Sequence, residues 1–176
     1  MLNNVKTFSV TNIIIFVTII TYFLQNSIPN GSIILGLNVY FLEYGFYWQP
    51  LTTIFTHGGV FHIAMNMFIL FQFGNLVEQA FGVKKYLLIY FVGGVLTSLA
   101  SFFFMQSMGM MHNLVGASGA ISVIIGLIAL RDRYQRQGMI VWILLISFAP
   151  LLLGMPVAWY AHLIGFGFGW LIGYFI

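Results

Sequence analysis

Six apolar runs, several of them closed by glycine, proline or charge, constrain this chain more than any other feature. They cover about residues 8–25, 61–81, 84–104, 115–130, 139–153 and 157–176. Several reach the length a helix needs to cross the hydrocarbon of a bilayer, where every backbone polar group must be satisfied internally. Their breaks are Pro29-Asn30-Gly31, Gly82, the polar stretch Arg131-Asp132-Arg133-Tyr134-Gln135-Arg136, and Gly154-Met155-Pro156. With 61% of residues hydrophobic and 5% charged, no soluble domain of this size could be surfaced. The pattern predicts an all-α polytopic membrane protein, a single domain over 1–176 with no polar linker. Lys6 before an apolar run has the look of a secretion signal. No small-x-small site follows at Gln25-Asn26-Ser27-Ile28, so the run reads as a retained first helix.

Charge then orients the bundle. Lys6 precedes the first run, Lys84 and Lys85 join the second to the third, and Arg131, Arg133 and Arg136 join the fourth to the fifth. All six basic residues fall on one side, which the positive-inside rule makes cytoplasmic, with both termini there. Six scattered basic residues form no patch, so the net charge of +3 is a topology signal and no nucleic-acid partner is expected. There is no cysteine, and therefore no disulfide, thiolate nucleophile or Cys-based metal site. The long segment between the first two runs carries Tyr44-Gly45-Phe46-Tyr47-Trp48-Gln49-Pro50, a composition suited to the headgroup region. It reads as a large interfacial loop with short helical pieces.

In this frame His57, His62, His112 and His162 all lie toward the outer side, and so does Ser118. From Ser118 to Arg131 a helix rises roughly 20 Å against a core of about 30 Å. Ser118 therefore sits below the outer surface, at a helix start whose free N–H groups demand a wet pocket. Asn66 lies one turn below His62 on the same helix face. A lone intramembrane serine is ordinarily a packing residue, and a lone histidine an interhelical hydrogen-bonding one. What distinguishes this pair is a shared depth and a device to join them. Gly165, Gly169 and Gly173 make a smooth stripe beneath His162, and Gly119, Ser122, Gly126 and Ala129 make one beneath Ser118. Such stripes let two backbones approach closely.

A serine beside a histidine can act as nucleophile and general base. Asp132 and Glu78 lie on the cytoplasmic side and Glu43 in the loop, so a dyad is expected rather than a triad. The Ser118 N–H, the Asn66 amide and an N–H of His62 are the expected oxyanion donors. His57 and His112 read as lining the pocket or binding water there.

His62-Ile63-Ala64-Met65-Asn66, Gly116-Ala117-Ser118-Gly119 and Ala161-His162-Leu163-Ile164-Gly165 together resemble the signatures of rhomboid intramembrane serine proteases, in the family's order across the six-helix core. The resemblance implies a rhomboid-like bundle of six transmembrane helices with a Ser118–His162 dyad. It implies an oxyanion hole of His62, Asn66 and the amides of Ala117 and Ser118, with Gly116, Glu78 and Gly82 at family positions. It also implies a mobile cap over about 149–159 and lateral access past the fifth helix. Two positions depart: the family's Trp-Arg is Trp48-Gln49 here, and the tyrosine that many bacterial members stack on the histidine is Ser122.

The implied activity is cleavage of single-pass transmembrane proteins near the outer leaflet of the cell membrane, with neither cofactor nor metal. A non-catalytic rhomboid-like protein that binds or unfolds helices is the alternative. A transporter or metal protein using the four histidines is a third reading; outer carboxylates are scarce for it and there is no His-Glu-x-x-His motif.

Overall fold

The computed structural model describes residues 9–154 and 156–176; Lys6, Phe8 at the predicted first helix start, and Met155 of the predicted cap lie outside them. Every regular element among these residues is helical, with one isolated bridge between Leu37 and Leu114. Helix α1 spans Val10–Ser27, α5 Val60–Phe81 and α6 Val83–Ser107, and these three are long and apolar enough to cross a membrane. Between α1 and α5 lie three short helices, α2 (Gly31–Leu35), α3 (Tyr40–Glu43) and α4 (Gln49–Thr52). The remaining helices are α7 (Ser118–Arg131), α8 (Arg136–Leu152) and α9 (Trp159–Ile172).

Helix ends are held by side chains. Ser9 accepts the N–H of Asn12, and the Glu78 carboxylate accepts the N–H groups of Val10 and Thr11, which satisfies the first turn of α1 and sets a negative charge at its positive pole. Gly82 joins α5 to α6 at φ +80°, a conformation open to glycine. The polar stretch after α7 is ordered: Asp132 accepts from the amides of Tyr134 and Gln135, and Arg136 donates to the last-turn carbonyls of Ala129 and Leu130. These caps start α8 one turn earlier than its hydropathy suggests. The described basic residues gather at one end. Arg131 lies over the Phe81 ring, Arg136 over Trp170, and Lys85 reaches the carbonyl of Ile176.

Helix α7 is the axis of the molecule, buried at every position from Ala120 to Ala129. A 14-residue helix that is apolar around nearly its whole circumference belongs inside a bundle. Its nearest partner is α9, and glycine sets the separation. A β-carbon at Gly126 would strike the Phe166 backbone, and one at Gly169 the Val123 backbone. Gly165 faces Gly119 and Ser122, while Gly173 faces Leu127 and Leu130. Since Gly165, Gly169 and Gly173 meet successively later residues of α7, the two helices run parallel. Gly93 and Gly94 of α6 fit against Val123 and Ala120 in the same manner.

The α1–α5 segment is tied down by hydrogen bonds to carbonyls left free at the end of α2. Gln49 is fully buried and donates to Ile33 and Ile34; Trp48 donates to Ile34 and Thr52 to Leu35. Asn38 and Asn113 bridge the segment to the strand-like stretch before α7. Beneath it Leu37, Phe102, Met105, Leu114 and Tyr160 form a second, smaller core.

Candidate active site

Ser118 is the first residue of α7, three residues later than hydropathy predicts, because Gly116 takes φ +127° and turns the chain just before it. That backbone is open to glycine, and so is the space. A β-carbon at Gly116 would lie 2.9 Å from Cε1 and Nε2 of His62 and 3.5 Å from Oγ of Ser118. The His62 ring edge and the Ser118 hydroxyl therefore face the same spot over the turn. The turn is pinned from α4: Gly116 N–H donates to the Thr53 carbonyl, and the Thr53 hydroxyl to that of Leu114. As the opening residue of a helix, Ser118 has an N–H with no acceptor in its own helix.

The neighbouring histidines have defined tautomers. The Gly58 amide donates to Nδ1 of His62 at 3.4 Å, so neutral His62 carries its proton on Nε2, the nitrogen beside Gly116 and Ser118. Asn66, buried one turn below, gives one amide proton to the His62 carbonyl and has a second to offer. His62, Asn66 and Ser118, the expected oxyanion donors, each keep a proton that these hydrogen bonds do not use. The N–H of Ala117, a further expected donor, is already taken: it donates to Nε2 of His57 at 3.3 Å.

His162 stands in the first turn of α9, buried, one turn before Gly165. The parallel register of α7 and α9 sets it level with the start of α7. Its hydrogen-bonding partner is the hydroxyl of Ser147 on α8, 3.4 Å from Nδ1, and it forms no hydrogen bond to the half-buried Ser118. Ser122 donates to the Ser118 carbonyl at 2.7 Å and presents its Cβ to Gly165, so the α7 position one turn below Ser118 stacks nothing on the imidazole.

A profile of the rhomboid domain matches residues 44–176, which include every residue of this constellation. The chain belongs to the rhomboid family. This rhomboid is similar to RHOMBOID-like protein 7 of Arabidopsis thaliana, 34% identical over 137 residues that take in 73% of the chain and 42% of the relative. It is similar to Presenilin-associated rhomboid-like protein A, mitochondrial, of Danio rerio, 30% identical over 136 residues, 68% of the chain and 35% of the relative. It is also similar to Rhomboid protease GluP of Bacillus subtilis (strain 168), 40% identical over 77 residues, 44% of the chain and 14% of the relative. The chain spans less than half the length of each of these relatives. As a rhomboid it is a polytopic membrane protein, in keeping with the apolar α1, α5 and α6.

Three residues of the rhomboid site carry more than their sequence context announces. His57 is almost wholly buried, with Nε2 on the Ala117 amide and Nδ1 3.2 Å from the Phe55 carbonyl. Gln25 of α1 clamps the His57 backbone with both ends of its amide. A polar amide near the end of an apolar helix, and a histidine five residues before His62, are the signals that could have found this pair. Ser147 had no such signal, being one hydroxyl in an apolar helix. His112, expected to line the pocket, is instead bonded to the Tyr160 hydroxyl at 2.8 Å, which joins the stretch before α7 to the first turn of α9.

Proposed function

We propose that this rhomboid is an intramembrane serine endopeptidase in which Ser118 is the nucleophile and His162 the general base. The observation that carries the reading is the glycine-set parallel pairing of α7 and α9, whose shared end holds a serine and a histidine. Ser118 Oγ attacks the carbonyl carbon of a substrate peptide bond while Nε2 of His162 takes the hydroxyl proton. The tetrahedral oxyanion is met by Nε2–H of His62, the free amide proton of Asn66 and the N–H of Ser118. Collapse breaks the C–N bond, and His162 returns its proton to the leaving amine. A water then attacks the acyl ester with His162 again as base, releasing the acid product and Ser118. Gly116, Gly119, Gly165 and Gly169 support this arrangement by setting the turn and the helix separation.

In this reading α1, α5, α6, α7, α8 and α9 are the six membrane-embedded helices of one unit over 1–176. The aromatic α2–α4 segment lies in the interface, and the basic end faces the cytoplasm together with both ends of the chain. The site then opens toward the outer face of the cell membrane. Helix α7 is too short to span by itself, which leaves Ser118 below the outer surface within reach of water. Substrates are single-pass membrane proteins whose helix unwinds locally near its outer end, since a helical peptide bond is shielded from attack. Gly or Pro close to the cut assists that unwinding.

The test uses purified protein in detergent with a fluorescent transmembrane substrate. Ser118→Ala and His162→Ala should each lower cleavage by roughly a thousandfold or more, and a fluorophosphonate should label Ser118 in the native protein. Undiminished cleavage by Ser118→Ala overturns the proposal. An unlabelled, inactive native protein favours the non-catalytic helix-binding role.

A further inference from the structure

Ser147 is fully buried, and its hydroxyl is flanked by two groups of opposite demand. On one side Oγ lies 2.6 Å from the carbonyl of Ile143, one turn earlier in α8; on the other it lies 3.4 Å from Nδ1 of His162. A carbonyl can only accept, so the single hydroxyl proton of Ser147 is committed to Ile143. What Oγ has left for His162 is a lone pair. The bond between them therefore runs one way, with Nδ1–H of the imidazole as donor. A neutral imidazole has one proton; holding it on Nδ1 leaves Nε2 as the basic nitrogen.

No carboxylate competes for that role. Glu78 is bonded to Val10 and Thr11, Asp132 folds the α7–α8 turn, and Glu43 is exposed in the loop. Nor does α7 supply an aromatic ring, because Ser122 stands where one would stack. We infer that Ser147 is the positioning residue for His162: through Nδ1 it fixes the tautomer that presents Nε2 toward Ser118. When His162 gains the proton from Ser118, Nδ1–H stays bonded to Ser147, so the imidazolium is stabilised more than the neutral ring. The inference rests on the serine–histidine reading and adds to it that the base is oriented from α8. That helix borders α7 and α9 on one side and exposes Val141, Leu144, Leu145 and Phe148 on the other.

The test has two arms on the full chain. In the first, nitrogen-15 NMR of histidine-labelled protein reads the His162 tautomer, with Ser118→Ala as the background in which proteolysis is silent. The Nδ1–H form is expected with Ser147 present, and loss of that preference in Ser147→Ala. In the second, kinetics with a fluorescent transmembrane substrate follow Ser147→Ala and Ser147→Thr. Loss of one hydrogen bond to the base should cut kcat about tenfold with KM little changed. It should also move the acid limb of kcat/KM to lower pH, because the imidazolium has lost its acceptor. Thr, which keeps the hydroxyl and the bond to Ile143, should restore most of the rate. A predominant Nε2–H form in the native protein overturns the inference, as does an unmoved acid limb in Ser147→Ala. The NMR arm stands apart from activity: cleavage surviving Ser118→Ala refutes the dyad and leaves the tautomer result to decide on Ser147.

Discussion

The amide of Ala117 donates to Nε2 of His57, and the residue that grips the backbone of His57 is Gln25, far away on α1. A backbone N–H is always a donor, so Nε2 is the acceptor and Nδ1 carries the proton, within reach of the Phe55 carbonyl. One chain of hydrogen bonds thus runs from the first long helix, through a neutral histidine, to the residue beside the proposed nucleophile. It holds the Gly116 turn in place while Ser118 keeps its own N–H free.

Burial, with a smaller contribution from neighbouring His62, lowers the pKa of His57 from 6.5 to about 3. Between those values the unfolded chain binds a proton that the folded chain refuses, so stability rises with pH through this window and falls on acidification. Thermal unfolding of the detergent-solubilised protein from pH 8 to pH 4 should show a falling midpoint. His57→Gln, which cannot titrate, should flatten that fall. His57→Ala should also cost about 1–3 kcal/mol at neutral pH, where it leaves the Ala117 amide buried and unpaired.

Glycines on α9 separate into two kinds. A methyl at Gly169 runs into the Val123 backbone, whereas one at Gly167 meets nothing within 4 Å. Gly169→Ala is expected to force α9 from α7, costing about 1–3 kcal/mol or more and abolishing cleavage. Gly167→Ala should be neutral or add up to about 1 kcal/mol through helix propensity. Comparable losses in both variants, read by thermal unfolding and substrate cleavage, would rule out glycine-set separation as the cause.

Legibility in the sequence followed the physics of each feature. The helices were readable because apolar runs and glycine or proline breaks are local, and the two small-residue stripes because four-residue spacing is a one-helix property. Ser118, His162, His62 and Asn66 could be singled out as candidates because polar side chains at one depth in a bundle have few reasons to be there. Ala117 was misjudged because the direction of an N–H depends on what faces it, and its partner His57 arrives from a distant loop. Ser147 was silent for a related reason: a hydroxyl that bonds its own helix looks identical in sequence to one that also meets an imidazole. The start of α7 moved from about residue 115 to Ser118 because one positive-φ glycine outweighs the hydropathy of its neighbours.

Gln49, the departure after Trp48, supplies the last prediction. Its side chain is wholly buried and makes three hydrogen bonds: Nε2 donates to Ile33 at 3.0 Å and to Ile34 at 3.3 Å, and Oε1 accepts the Asn38 amide at 3.3 Å. A neutral amide suits the position because both a donor and an acceptor are required there. Gln49→Glu keeps the shape but turns two donors into acceptors facing carbonyl oxygens, and it buries a charge. Gln49→Ala removes all three bonds, leaves the Asn38 amide unpaired and opens a cavity. The first should destabilise more than the second, which should itself cost about 1–3 kcal/mol. Since the loop also holds Thr53 against the Gly116 turn, both variants should lose cleavage before they lose helicity. Limited proteolysis within residues 28–59, followed alongside circular dichroism and substrate turnover, checks the order; a protease-resistant loop in Gln49→Glu would show that the amide is not what fastens it.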